Sequence, residues 1–228
     1  MSSDAAKPTV HTRGFWLTND EGHAFDPQLA RGIADLFAQD RICDLGCGQG
    51  KYVAFLRERR IDCNGFDGNP NTPTLTKGMC GVLDLSKPVE LGSEYDAIMS
   101  LEVAEHIPRK YQDVYLANLT RHAKHRLIMS WSVPGQAGDG HVNNRTNSFA
   151  VWKMRRLGFQ LDLDKTKLLR EQASLPWFKN TILVFSRSAS VDLSDKLKAS
   201  AAALRFDAIT LGRKVNTVVR TLANRGPR

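Results

Sequence analysis

The 228 residues contain only four cysteines, Cys43, Cys47, Cys63 and Cys80, with no C-x-x-C pair among them. That scarcity excludes a zinc ribbon, and their position mostly within apolar runs fits buried thiols in a reducing compartment. No apolar run approaches the roughly 18 residues that span a bilayer, and Met1 to Lys7 lack the apolar stretch of a secretory signal. Export by a cleaved signal is therefore not expected, and a cytoplasmic location is. Internal repeats and low-complexity segments are also missing. So is any stripe of basic residues interleaved with aromatics before the C-terminal tail, which argues against a nucleic-acid partner.

What is present is ordinary for a globular chain: 42% hydrophobic and 25% charged residues, enough for a sizeable core and incompatible with disorder throughout. The length suits one domain with extensions better than two domains. The net charge is +8 at pH 7, but it is unevenly placed. Between Val191 and Arg228, eight Lys or Arg stand against three Asp, so the tail carries +5 of it and the other 190 residues only +3.

Three regions emerge: a polar lead (1–25), a domain (26–190) and a tail (191–228). Asp26-Pro27 reads as an N-cap with proline at the first helical position, followed by Leu29, Ile33, Leu36 and Phe37 at helical spacing. From Arg41 strands and helices alternate: a strand at 41–44, a helix at 51–59, strands at 63–67, 82–85 and 95–101, a helix at 110–121 and a strand at 126–131. This is a βαβ series with a parallel sheet. A helix at 148–157 and strands near 159–163 and 181–187 complete it, the last two expected as an antiparallel pair at one edge.

Asp44-Leu45-Gly46-Cys47-Gly48-Gln49-Gly50 follows a strand and opens a helix, where glycine lets the backbone approach a ligand at the carboxyl end of the strand. The third glycine falls one residue too early for the nicotinamide G-x-G-x-x-G pattern. Asp67 ends the next strand near the offset of about 20 residues at which a carboxylate accepts ribose hydroxyls.

These residues, with Gly65-Phe66-Asp67, Val82-Leu83-Asp84-Leu85 and the run from Tyr95 to Ile107 that includes Ser100-Leu101-Glu102-Val103-Ala104-Glu105-His106, resemble the class I S-adenosylmethionine (SAM)-dependent methyltransferases. The resemblance is to the branch of ubiquinone-biosynthesis-type small-molecule O-methyltransferases, and it covers about residues 41–187. It implies an α/β fold with a seven-stranded, mostly parallel, doubly wound sheet, a Rossmann-like methyltransferase fold whose last strand is antiparallel. SAM is the implied cofactor, with Gly46 and Gly48 at its methionine part, Asp67 at the ribose, Asp84 and Leu85 at the adenine and Glu102 closing the pocket. Asp44 is assigned to the same cofactor site, either in contact or fixing the glycine turn through its amides.

Methyl transfer to a hydroxyl calls for orientation, water exclusion and a base. The glycine-rich stretch from Trp131 to Arg145 is too decorated with polar groups for a plain connector, and loops after sheet strands face the ligand. His141 within it is the first choice for base and His106 the second, with His23 ahead of the N-terminal helix a further candidate. His141 reads alternatively as a tie within its own loop, and Glu105 and His106 as caps for the helix after Ile107-Pro108. His122 and His125 read as solvent or cap residues. No metal is assigned; Asp139, His141 and Asn143 are the alternating set that would suit a divalent cation.

The acceptor expected is a small molecule or a sugar hydroxyl. An amine acceptor needs the same pocket, while a nucleic-acid methyltransferase and a non-catalytic SAM-binding module are the competing classes. In the tail, Leu197, Leu204, Ala208, Leu211, Val215, Val218 and Leu222 recur at helical steps with most basic residues off that stripe. This predicts an extra amphipathic helix that packs on its own domain, pairs with another helix or lies on an anionic membrane.

Overall fold

The computed structural model describes residues 10–17 and 24–188. The chain from 26 runs α1 (Pro27–Leu36), β1 (Ile42–Leu45), α2 (Lys51–Glu58), β2 (Cys63–Asp67), α3 (Thr72–Leu75), β3 (Gly81–Val82), β4 (Tyr95–Ser100), α4 (Gln112–His122), β5 (Ala123–Met129), α5 (Asn147–Arg156), β6 (Phe159–Leu161), α6 (Leu163–Gln172), α7 (Phe178–Thr181) and β7 (Leu183–Arg187). The strands form one seven-stranded sheet in the order β3-β2-β1-β4-β5-β7-β6. β1 to β5 pair in parallel, and β7 is antiparallel to both β5 and β6. This is the Rossmann-like methyltransferase fold that the motifs implied.

Residues alternate across the strands as the pleat requires. Ile42, Ala97, Met99 and Ile128 face a core closed by α1, α2 and α6 through Leu29, Ile33, Val53, Leu56 and Leu169. Cys43, Ile98, Leu127 and Met129 face the opposite core, closed by α4 and α5 through Tyr115, Leu116, Leu119, Val151 and Met154. All four cysteines are free and buried.

α1 starts as expected: Asp26 is its N-cap, accepting from the Gln28 and Leu29 amides at 3.1 and 3.0 Å, with Pro27 at the first helical position. Asp26 also accepts from the Ser174 and Leu175 amides, both at 2.7 Å, and from the Ser174 hydroxyl at 2.8 Å. One fully buried carboxylate thus fastens α1 to the loop after α6.

Several boundaries differ from the sequence reading. The ladder of β3 stops at Val82, because Asp84 folds an Asx turn onto Ser86, whose amide donates to it at 3.0 Å. β5 begins at Ala123, and the pair β6–β7 encloses a helix, α6, where the sequence pattern showed none. His122 is no surface cap. It is buried at the end of α4, its Nδ1 2.8 Å from the Asn118 carbonyl and its Nε2 accepting from the Leu91 amide at 3.1 Å. The expected helix of the tail and His23 lie outside the described residues. Among the described residues no helix is long and apolar enough to cross a membrane.

Candidate active site

The carboxyl ends of β1, β2 and β4 open into a cavity of about 450 Å³. Its floor is the glycine turn. Gly46 has φ +93°, and a Cβ there would fall 2.3 Å from Cγ2 of Val103, so both the conformation and the contact demand glycine. The Gly46 and Cys47 amides donate to the Phe66 carbonyl at 2.7 and 3.1 Å, and the Gly48 amide donates to Oδ2 of Asp67 at 2.9 Å. The other oxygen of Asp67 accepts from the Asn69 amide at 2.9 Å. The support that the sequence offered to Asp44 therefore falls, for these three amides, to Asp67 and the Phe66 carbonyl.

Asp44, 2% exposed, lines the cavity at the end of β1. Burial pushes its carboxyl well above the ordinary range, with the nearby Cys80 and Asp67 adding to the effect. Gly46, Asp67, Leu85 and Glu102 line the same cavity, whereas Gly48 and Asp84 do not. Asp84 instead holds Nη1 of Arg13 at 2.7 Å, and Arg13 does line the cavity. Burial works against the Asp84 carboxylate, yet hydrogen bonds from Ser86 and Arg13 hold its pKa below the ordinary value.

Residues 10–17 form a strap over this floor that the sequence did not announce. Phe15 packs against Gly68, where a Cβ would meet its ring at 2.5 Å, and stacks on His11 with centroids 4.4 Å apart. Gly14 lies against the backbone of His106, and Trp16 meets the His106 ring edge-on at 5.8 Å. The pair Phe15-Trp16 within a polar lead was the available signal.

On the other side, β4 ends in a strained residue. Glu102 has φ +54°, held by its amide donating to Oγ of Ser130 at 2.6 Å while that hydroxyl donates to Oε1 of Glu102 at 2.7 Å. Burial raises the pKa of Glu102. Glu105 caps no helix. It is fully buried beside Glu102, and burial followed by the charge of Glu102 pushes its pKa well up.

The loop after β5 is tied inward by its backbone: the Val142 and Asn143 amides donate to the Glu105 carbonyl at 2.9 and 3.0 Å, and the Arg145 amide donates to the Ser132 carbonyl at 3.0 Å. These ties bring His141 to the cavity wall beside His106, the two rings edge-to-face with centroids 5.0 Å apart. Nδ1 of His141 lies 3.1 Å from Oγ of Ser132, and Nε2 lies 4.0 Å from Oε1 of Glu105. Burial lowers the pKa of His141, keeping its ring neutral near pH 7. Nδ1 of His106 lies 3.2 Å from the Gly140 carbonyl. Asn143 is drawn elsewhere, its amide group donating to Gln112 at 3.2 Å and its carbonyl accepting from Trp131 at 2.7 Å. The set Asp139, His141 and Asn143 is therefore not assembled; the potential ligands brought together are Glu105, His106 and His141.

The family model for a methyltransferase domain matches residues 21–157. The chain belongs to that family. The SAM-dependent methyltransferase fold and activity follow, with SAM as cofactor. The glycine turn, Asp67 and the adjoining cavity fit that molecule.

Solved structures agree on the fold. Magnesium protoporphyrin IX methyltransferase (ChlM) from Synechocystis PCC 6803 with bound SAM has a TM-score of 0.54 and 20% identity, over 70% of this chain and 76% of that one. The sugar N-methyltransferase KedS8 from Streptoalloteichus has a TM-score of 0.54 and 15% identity, over 70% and 85% of the two chains. CalS10, an amino pentose methyltransferase from Micromonospora echinaspora, has a TM-score of 0.52 and 14% identity, over 70% and 89%. No curated protein matches the chain.

Proposed function

We propose that this methyltransferase modifies a hydroxyl of a small molecule or sugar, as the ubiquinone-type branch does, and that the acceptor sits against His106 and His141. The observation that carries this reading is the histidine pair itself. Two imidazoles share one wall of the cavity whose floor is the cofactor turn, and a hydroxyl acceptor needs a proton acceptor at that wall. SAM supplies a methyl group on a sulfonium centre; the chain supplies position, dryness and the proton acceptor.

Gly46, Gly48 and Asp67 are assigned to holding the methionine and ribose parts, Leu85 to the adenine, and Asp44 and Glu102 to the walls between. Asp84 acts through Arg13, keeping the strap down over the adenine end. His141 is the base, its ring set by Ser132, and His106 positions the acceptor beside it. The neighbouring structures include enzymes named for sugar substrates, which supports an acceptor of that size.

The test is division of labour. In His141→Ala, turnover on an acceptor is expected to fall roughly a hundredfold or more with SAM affinity by calorimetry nearly unchanged. Full turnover would transfer the role to His106 or remove the base from the scheme. The acceptor is sought by comparing methylated metabolites and glycans in cells with and without the protein.

A further inference from the structure

We propose that Cys47 and Cys80 form a reversible dithiol–disulfide pair at the glycine turn, and that closing the disulfide weakens SAM binding. The placement begins with Gly65 on β2. A Cβ there would stand 2.7 Å from Sγ of Cys80 and 3.1 Å from Sγ of Cys47. The two sulfurs therefore meet across the space that any other residue at 65 would fill, no further apart than those two distances laid end to end. The register explains the meeting. Phe66 pairs with Leu45 of β1 on one side and with Gly81 of β3 on the other. The residues just past the end of β1 and just before β3 are thereby brought to the two flanks of Gly65.

The two thiols also differ in chemistry. Cys80 is held below the ordinary thiol pKa: the hydrogen bond from Cys47 is the main cause, burial works against it, and Arg57 and Thr76 add to the lowering. Its contact with Cys80, followed by burial, pushes the Cys47 pKa up. Burial likewise raises Cys43 and Cys63. The pair thus consists of a thiolate at Cys80 and a proton-bearing partner at Cys47. Cys47, 9% exposed, lines the cavity, which gives a small oxidant of the hydrogen peroxide class its way in.

The chemistry balances with peroxide as the oxidant. The Cys80 thiolate attacks one peroxide oxygen, an S–O bond forms, the O–O bond breaks, and the departing hydroxide takes the Cys47 proton and leaves as water. The Cys47 thiolate then attacks the sulfenic sulfur of Cys80. The S–S bond forms, the S–O bond breaks, and the second hydroxide takes up the proton that Cys80 had released to solvent. Two thiols are oxidised and one peroxide is reduced to two waters.

Closure acts on the turn because Cys47 is part of it. Its amide and that of Gly46 donate to the Phe66 carbonyl at 3.1 and 2.7 Å, and Sγ of Cys80 also lies 3.1 Å from where a Cβ of Gly50 would stand. A disulfide holds its sulfurs about 2.05 Å apart, so forming it draws Cys47 towards the start of β3 and shifts the backbone assigned to the methionine part of SAM. Bound SAM, in turn, stands between the cavity mouth and Cys47. Disulfides that form transiently in a reducing compartment serve as sensors in this way.

The experiment exposes the reduced full chain to hydrogen peroxide without SAM. Intact-mass spectrometry under non-reducing conditions is expected to show the loss of two hydrogens, with peptide mapping placing the link between Cys47 and Cys80. SAM affinity by calorimetry is expected to fall roughly tenfold or more, the worth of one or two loosened hydrogen bonds, and to return with dithiothreitol. Cys63→Ser should still form the link. Cys80→Ser should form none and should hold its SAM affinity through the peroxide treatment, compared at equal folded fraction by circular dichroism. Mapping and calorimetry of the wild-type chain decide the matter even where that variant fails to fold. No link between Cys47 and Cys80 in the treated wild type, a link to Cys43 or Cys63 in its place, or unchanged SAM affinity in the linked protein would overturn the proposal.

Discussion

At the scale of single residues, Asp67 joins two tasks. It holds the Gly48 amide and the Asn69 amide through different oxygens while lining the cavity. Asp67→Ala is expected to weaken SAM binding by about 2–4 kcal/mol, the worth of a charge-assisted pair together with a loosened turn. Calorimetry with SAM checks it, and an unchanged affinity would take Asp67 out of the cofactor site. The glycine turn and Asp67 were legible because their spacing along the sequence is itself the device. Glu105 was not: charged residues are almost never fully buried, so its neighbour Pro108 suggested a cap, and only the folded loop after β5 reveals what surrounds it. The strap residue Arg13 was similarly silent, since its partner Asp84 lies far along the chain.

Among the elements, the strongly periodic ones could be read directly. α1 announces itself by Asp26-Pro27 and a stripe of buried Leu29 and Ile33. α6 does not, because its buried face is Thr166, Leu169 and Arg170, two of them polar. Both bond to the backbone of the chain around β7, the Val184 amide donating to Thr166 at 3.0 Å and Nε of Arg170 donating to the Ile182 carbonyl at 2.8 Å. A helix docked by hydrogen bonds leaves no apolar period to find.

Asp26 links these two helices. Asp26→Ala is expected to destabilise the fold by about 2–4 kcal/mol, combining a lost N-cap with buried donors left unpaired, as read by denaturant unfolding. Burial alone would raise the Asp26 pKa, but the backbone and Ser174 hydrogen bonds bring it below 3.8. A carboxylate lowered on folding stabilises fully above its unfolded pKa, and that contribution is lost as pH falls through the folded value. The wild-type protein should therefore lose part of its stability below about pH 4, and Asp26→Asn should show a flatter acid limb.

For the whole molecule, the charge map separates a nearly balanced domain from a tail with +5 over 38 residues. The matched family region ends at residue 157 and the sheet of the described residues at Arg187, and we propose that the catalytic domain ends near there. Truncation after Ser190 is expected to leave SAM affinity intact and to change flotation with anionic liposomes or the assembly state seen by light scattering. Loss of SAM binding on truncation would make the tail part of the domain. The succession of strands and helices along the chain followed from alternating patterns that each lie within a few dozen residues. The insertion of β7 between β5 and β6 did not, because it is fixed by pairing across the final 60 residues of the domain rather than by any local signal.

The strap has a kinetic corollary. Eight residues, 10–17, touch the β2 end through Phe15, Asp84 through Arg13 and His106 through Gly14 and Trp16. One short segment thus lies over both the glycine turn side and the His106 side of a single cavity. On the proposed assignment the cofactor end and the acceptor end share this strap, so ligand exchange at the two ends is expected to be coupled.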